Sequence, residues 1–258
     1  MQSLTSARNP LLKEVRKAVL RGTTTDSGFC VAEGLHLLNE ALRSECEIQA
    51  VIVSETARAA VEEGPVPARV LTVPDQLFQT LASTESSQGV IALVRPPRWT
   101  LQDIFRPPAL AVILDGVQDP GNAGAIVRSA EAFDATGVVF LKGTVSPFNP
   151  KAIRASAGSL FRAPLVAGVE PETILDALER NKMKVYALMP KGAVDLSACD
   201  LRRDCALIAG GEARGVSERL AEMATPVRIP AANVESLNVA LATGIALYEA
   251  RRQRTDRA

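Results

Sequence analysis

The chain has 258 residues, 47% apolar and 22% charged, which suits a globular protein of one large or two ordinary domains and excludes a disordered or fibrous one. Its 29 basic residues balance 29 acidic ones, so whole-molecule charge announces no polyanionic partner. With 4% aromatics, the core must be built from Ala, Val, Leu and Ile, as buried parallel strands are.

Asn9-Pro10 opens a basic helix to about Leu20. Phe29 to Ala32 reads as a strand, and Glu33 to Arg43 as an amphipathic helix with Leu35, Leu38 and Leu42 on one face. A strand at Ile48 to Val53, a helix near Glu55 to Glu62, a strand at Val70 to Val73, a helix from Pro74 to Leu81 and a strand from Gly89 to Val94 complete a small α/β domain over 1–95. Prolines crowd the stretch 96–108, which reads as a linker. Beyond it, strands are expected at Leu110 to Leu114, Gly137 to Leu141, Pro164 to Ala167, Lys184 to Leu188, Cys205 to Ala209 and Val227 to Ile229. Helices are expected at Ala123 to Phe133, Lys151 to Gly158, Pro171 to Asn181 and Leu237 to Ala250. Strands spaced by helices imply a second domain over 109–258, an α/β fold with a largely parallel sheet covered by helices on both faces.

Charge is unevenly spread. Arg8, Lys13, Arg16, Lys17 and Arg21 face one acid, Glu14; Lys142, Lys151, Arg154 and Arg162 fall in an acid-free stretch; Arg251, Arg252, Arg254 and Arg257 crowd the tail. Three such segments point to a polyanion, with solvated helix faces as the plainer explanation. Cys30, Cys46, Cys199 and Cys205 form no C-x-x-C, so zinc-ribbon and thioredoxin motifs are absent, and a reduced cytoplasmic protein is expected. No apolar run has signal-peptide or membrane-spanning length. His36 is the only histidine, on an N-terminal helix pattern where a half-buried place is expected; Ser-His-Asp hydrolysis and a histidine-ligated metal find little support.

Three polar segments each follow an apolar strand. In the first, Asp119-Pro120-Gly121-Asn122-Ala123-Gly124 leads into a helix that Asn122 can cap, with Arg128 under two turns on; its glycines do not make a Rossmann fingerprint. In the second, Gly210-Gly211-Glu212-Ala213-Arg214-Gly215 ends a strand; two glycines there let a flat ligand reach the backbone, and Glu212 could hold a cation such as Arg128. In the third, Ile229-Pro230 precedes a loop and Ser236-Leu237-Asn238-Val239-Ala240, with Ser236 the expected N-cap and Asn238 in the first turn. Strand-end loops and helix N-termini are where α/β folds hold ligands, so one composite site is expected.

In order, N-x-G-x-x-x-R, G-G-E-x-x-G and I-P-x(5)-S-L-N-V-A resemble the three motifs of the SpoU/TrmH family of RNA 2′-O-ribose methyltransferases, in the SPOUT superfamily. NPKAIRASAGSLFRAP also looks like this family, and RNPLLKEVRKA with FCVAEGLHLLNEAL is similar to an L30e-like substrate-binding domain. The resemblance implies a C-terminal trefoil knot, a homodimer through the helices after Asn122 and after Leu237, and S-adenosylmethionine as cofactor with no metal. It implies cofactor contacts at Leu207, Ala209, Gly210, Gly211, Ile229, Ser236, Leu237 and Asn238. It implies a catalytic set of Arg128, Glu212, Asn122 and Asn238, with Glu212 orienting Arg128. Structured RNA would be the partner, ribosomal rather than transfer RNA because L30e-like domains resemble ribosomal-protein RNA binders. Arg8, Lys13, Lys151 and Arg154 are the phosphate-contacting candidates. A non-catalytic RNA-binding protein on this scaffold and an RNA base methyltransferase are the alternatives. The joint presence of Arg128, Glu212 and Asn238 argues against the first, and the N-x-G-x-x-x-R arginine against the second.

Overall fold

Residues 2–62 and 68–255 are described in this computed structural model, which divides into two units. One unit is Met1–Pro97 with Ser146–Arg162, the other Arg98–Val145 with Ala163–Ala258.

The first unit contains β1 (Gln2–Ser3), α1 (Pro10–Arg21), β2 (Cys30–Glu33), α2 (Leu35–Arg43), β3 (Ile48–Ser54), α3 (Ala59–Glu62), β4 (Arg69–Val73), α4 (Asp75–Gln79) and β5 (Val90–Val94). Asn9 caps α1: its Oδ1 accepts from the Leu11 N–H at 3.0 Å, and Pro10 fills the first helical position, where no donor is needed. Leu12, Val15 and Ala18, spaced three apart, are its buried face. The sheet runs β1-β4-β3-β5-β2 and is mixed, with β5 antiparallel to both β3 and β2. Burial lifts the Cys30 thiol to about 12, so it stays protonated within the core. His36 is exposed on α2, not half-buried as expected, because Leu37 and Leu38 take the inward positions.

The second unit begins with α5 (Leu101–Ile104), β6 (Leu110–Asp115), α6 (Pro120–Ala132) and β7 (Gly137–Leu141). The chain then passes through α7 (Pro150–Ser156), which belongs to the first unit, and returns as β8 (Leu165–Val169) and α8 (Pro171–Arg180). It ends with β9 (Lys184–Leu188), β10 (Val194–Asp195), β11 (Cys205–Gly210), α9 (Glu218–Met223), β12 (Thr225–Arg228) and α10 (Val239–Thr255). The sheet order is β10-β12-β9-β11-β6-β7-β8, and every pair is parallel. Successive strand residues face opposite ways. Ile113, Val139, Val185 and Ile208 pack on one face with Ile174 and Leu178 of α8 and Leu220 of α9. α6 and α10 pack against each other, α6 on β7 and α10 on β11. Arg254 secures the end of α10 by donating to the carbonyls of Leu201 (2.9 Å), Arg203 (2.7 Å) and Ala109 (2.8 Å).

Two expected boundaries change. Within the expected linker, Thr100 and Asp103 form a reciprocal cap on α5, and Ile104 and Phe105 are buried in the second unit's core. The expected continuous domain 109–258 gives up 146–162. Ion pairs explain why: Arg162 Nη1 lies 2.7 Å from Glu40 Oε2, and Arg154 Nη1 lies 3.7 Å from Glu33 Oε2. Glu33 is a charge at a strand end whose side chain is only 4% exposed, so it needs partners. It accepts from the Ser83 N–H at 2.8 Å and the Thr84 hydroxyl at 2.6 Å. Burial pushes its carboxyl up, but the hydroxyls of Ser83, Thr84 and Ser87 and the Ser83 N–H outweigh that and hold it below its ordinary value. Arg257 of the basic tail lies outside the described residues.

Since the folded pKa of Glu33 lies below the unfolded one, its stabilisation is complete above the unfolded carboxylate pKa and is lost as pH falls through the folded value. Glu33→Gln should therefore cost about 1–3 kcal/mol at neutral pH, since an amide cannot accept as the carboxylate does. Urea unfolding of both proteins should show that gap closing as the pH is lowered; a gap independent of pH would contradict the assignment.

Candidate active site

Parallel strands send their following loops to the same edge of the sheet, and β6 and β11 are neighbours there. The last residues of both strands are tied across that edge. Asp115 accepts from the Gly211 N–H at 2.8 Å through its carbonyl, and from the Ser217 N–H at 2.7 Å through Oδ2. Gly215 in turn donates to the Gly211 carbonyl at 2.8 Å, closing 211–215 into a tight loop. A Cβ on Gly210 would lie 2.2 Å from the Gly215 carbonyl carbon, and one on Gly211 would lie 2.3 Å from the Gly116 oxygen. Both glycines are thus demanded by backbone crossing backbone, a reason different from the expected approach of a flat ligand.

The loop delivers Glu212 to the start of α6. Asp119 caps that helix, its Oδ1 accepting from the Asn122 N–H at 2.9 Å, so Asn122 is not the cap. The Asn122 side chain is free to act elsewhere. Its Nδ2 donates to Glu212 Oε1 at 2.7 Å, and its Oδ1 accepts from Asn238 Nδ2 at 3.0 Å. Asn238 Oδ1 accepts from the N–H groups of Ala240 (2.9 Å) and Leu241 (3.2 Å). Asn238 is therefore the N-cap of α10, in place of Ser236, because the helix begins only at Val239. Glu212 Oε2 accepts from the Gln118 N–H at 3.3 Å, and Gln118 Nε2 donates to the carbonyls of Gly116 and Gly143. Burial pushes the Glu212 carboxyl up, but the Asn122 amide and the N–H groups of Glu212, Gln118 and Asp119 outweigh it and hold Glu212 below its ordinary value.

Arg128 does not join this network. It is exposed on α6 and, among the described residues, makes no hydrogen bond or ion pair, so the expected Glu212–Arg128 contact is replaced by Glu212–Asn122. Of the expected phosphate contacts, Arg8 and Lys13 are exposed. Lys151 is exposed as well, whereas Arg154 turns inward to Ser83 and Glu33.

Beside the network lies a cleft of about 770 Å³ at the carboxyl edge of the sheet. Of the residues proposed as cofactor contacts, Ala209, Gly210, Gly211, Ile229, Ser236, Leu237 and Asn238 line it. Leu207 does not, because it lies fully buried inside β11, paired with Val112 and Tyr186. Sequence reasoning missed the opposite wall, Leu188-Met189-Pro190 at the end of β9, and the Asp195–Arg228 pair at 2.6 Å. No motif marks those residues; the pairings of β12 with β9 and with β10 bring them in. The lining combines apolar side chains with strand-end backbone, which fits a ligand with a flat base that packs on apolar surface and hydrogen-bonds to backbone, as the adenine of S-adenosylmethionine does. Among the described residues no group of three or more His, Cys, Asp or Glu could hold a metal ion.

An all-parallel sheet with a cleft at its carboxyl edge and a carboxylate–amide network beside it is the arrangement of an α/β protein that binds a small ligand at its strand ends. Residues 109–248 match the model of the SpoU rRNA methylase family, and residues 9–92 that of the MRM3-like substrate binding domain. The chain belongs to the SpoU rRNA methylase family. It is 33% identical to an uncharacterized tRNA/rRNA methyltransferase of Synechocystis sp., over 97% of this chain and 94% of that one. It is 30% identical to the 23S rRNA (guanosine(2553)-2′-O)-methyltransferase RlmP of Bacillus subtilis, over 97% of this chain and 100% of that one. Among solved structures it resembles the AdoMet-bound rRNA methyltransferase of Sinorhizobium meliloti, with a TM-score of 0.83, 31% identity and 97% of each chain covered. It also resembles the SpoU methyltransferase AviRb of Streptomyces viridochromogenes in complex with AdoMet, with a TM-score of 0.85, 28% identity, and 96% and 99% of the two chains covered.

Asn122→Asp would set a carboxylate against Glu212 where an amide donor now stands. It should weaken S-adenosylmethionine binding more than Asn122→Ala does at neutral pH. The difference should narrow as acid protonates one of the two carboxyls and restores a hydrogen bond. Calorimetric titration of both variants across the carboxylate range checks this; equal affinities at pH 7 would contradict it.

Proposed function

We propose that this protein transfers a methyl group from S-adenosylmethionine to a ribose 2′-hydroxyl of ribosomal RNA. The observation that carries this is the Glu212–Asn122–Asn238 chain, which joins all three motif segments at the mouth of one cleft. When bound, S-adenosylmethionine supplies an electrophilic methyl carbon on a sulfonium. The protein's task is to hold that end still and bring the ribose oxygen in line with it. Ala209, Gly210, Ile229 and Leu237 would hold the flat end, and the hydrogen-bonded chain would keep the loop before α10 closed over it.

Glu212 is held ionised by its donors and is spent on Asn122 and Gln118. The described residues that line the cleft include no histidine, lysine or cysteine. With Glu212 so engaged, activation of the 2′-hydroxyl would draw on stabilising the developing oxyanion, its proton passing to solvent. Arg128 is our candidate for that role, since among the described residues it makes no hydrogen bond or ion pair. In that role it would act by its charge. The first unit, matched over 9–92 to a substrate binding domain, would contact the RNA with Arg8 and Lys13. A reaction on ribosomal RNA also favours a cytoplasmic place of work, and no described helix is long and apolar enough to cross a membrane.

The homodimer and the knot belong to the same reading. α10 leaves Leu241 and Tyr248 more than half exposed although it packs on α6, which supports a second copy covering that side. The chain leaves β12 near one edge of the sheet, yet α10 packs back against β11 and α6, which supports a threaded C-terminus.

Ribose-methylation mapping of ribosomal RNA from cells with and without the gene should reveal one position that loses its methyl group; unchanged maps would overturn the reading. Arg128→Ala should lower single-turnover methyl transfer by ~10²–10³ while leaving melting temperature and cofactor affinity near wild type. Near wild-type turnover would remove Arg128 from the chemistry. Light scattering should give a dimer, and Leu241→Arg should shift it toward monomer; a wild-type monomer at micromolar concentration would contradict the assembly.

A further inference from the structure

Among the described residues, one long side chain of the tight loop 211–215 makes no hydrogen bond or ion pair. Glu212 is bonded to Asn122 and Gln118, Gly211 to Asp115, Gly215 to Gly211, and Ser217 just beyond is fixed by Asp115 Oδ2. Arg214 is exposed and, among the described residues, makes no hydrogen bond or ion pair, although Glu212 and Glu218 are close in sequence. Glu212, two residues before it, and Gly215, one after, line the cofactor cleft, whereas Arg214 does not. Its backbone is therefore fixed at the rim of the cleft while its guanidinium is left in solvent.

That placement has a chemical consequence. A ribose brought to the cleft carries a phosphate on each side of it, and those phosphates must pass the rim. An unpaired guanidinium on a rigid, glycine-closed loop loses little backbone entropy on binding and can meet a phosphate with two parallel hydrogen bonds. We propose that Arg214 binds a backbone phosphate beside the methylated ribose and so positions the RNA strand over the cleft. The proposal rests on the ribose-methylation reading above. It makes Arg214 a substrate-positioning residue that draws on charge and geometry and takes no part in methyl transfer itself.

The test uses the full-length protein and in-vitro-transcribed, unmodified 23S rRNA, with binding measured across a salt series and methyl transfer measured against RNA concentration. Arg214→Ala should reduce the slope of log K against log salt by roughly one, or slightly less if the strand is single. It should raise KM for RNA while leaving kcat at saturating RNA, cofactor affinity, melting temperature and oligomeric state near wild type. Arg214→Lys keeps the charge and should recover most of the salt slope, but less of the KM because the fork is gone. An unchanged slope and KM in Arg214→Ala would overturn the proposal. So would a loss of cofactor binding or a change of oligomeric state, which would make Arg214 a structural or interface residue. Failure of the wild-type protein to methylate this RNA would instead sink the functional reading, and the phosphate site with it.

Discussion

A carboxylate can only accept hydrogen bonds, and the first N–H groups of a helix can only donate them. Between the Glu212 carboxylate and the N-terminus of α10 stand two side-chain amides, Asn122 and Asn238, each with one donor end and one acceptor end. The fixed ends leave one orientation for both: nitrogen toward Glu212, oxygen toward α10. Reversing either amide would set donor against donor or acceptor against acceptor. The chain is therefore a directional clamp. The loop after β11, the start of α6 and the start of α10 are held in one arrangement, and the cleft wall formed by the loop before α10 depends on it.

The sheet makes this clamp possible. Because β6 and β11 are adjacent and parallel, their loops emerge side by side and can be tied through Asp115. α10 then spans the sheet from one edge to the other. Its first turn is capped by Asn238 at the carboxyl edge, and near its last turn Arg254 reaches the carbonyls of Ala109, Leu201 and Arg203, which precede β6 and β11 at the amino edge. A helix of 17 residues is about 25 Å long, and the six-residue strands it crosses are about 20 Å. Length and anchoring agree, so displacement of α10 would have to break polar contacts at both ends.

Much of this was legible in the sequence because it is local. The strands Gly137–Leu141 and Lys184–Leu188 form over the expected residues, since their apolar runs are bounded by turns. The three polar segments stand out because strand-end glycines and helix-start asparagines are short-range signals. Partnership was not legible. Asn122 does not cap α6 and Glu212 does not hold Arg128, because Asp119, three residues before Asn122, already caps α6 and frees the Asn122 amide for Glu212. Equally hidden was the return of 146–162 to the first unit. It depends on Glu33 and Glu40, more than a hundred residues away, and no periodicity within the segment reports them.

The basic residues show the same limit in sharper form. Sequence sees Arg154, Arg162 and Arg254 as cations in acid-poor stretches, equivalent to Arg8 or Lys13. In the fold, Arg154 and Arg162 neutralise Glu33 and Glu40, and Arg254 is spent on carbonyls. A guanidinium committed to a partly buried carboxylate is a poor phosphate ligand, because binding RNA would first have to leave that carboxylate unpaired. Polyanion recognition must therefore fall to cations that folding does not use. Arg8 and Lys13 on the first unit, and Arg128 and Arg214 on the second, meet that condition among the described residues. The two on the second unit belong to the same two segments that supply Asn122 and Glu212 to the clamp. The constraint that orders the cleft thus also fixes the backbone from which those free charges extend.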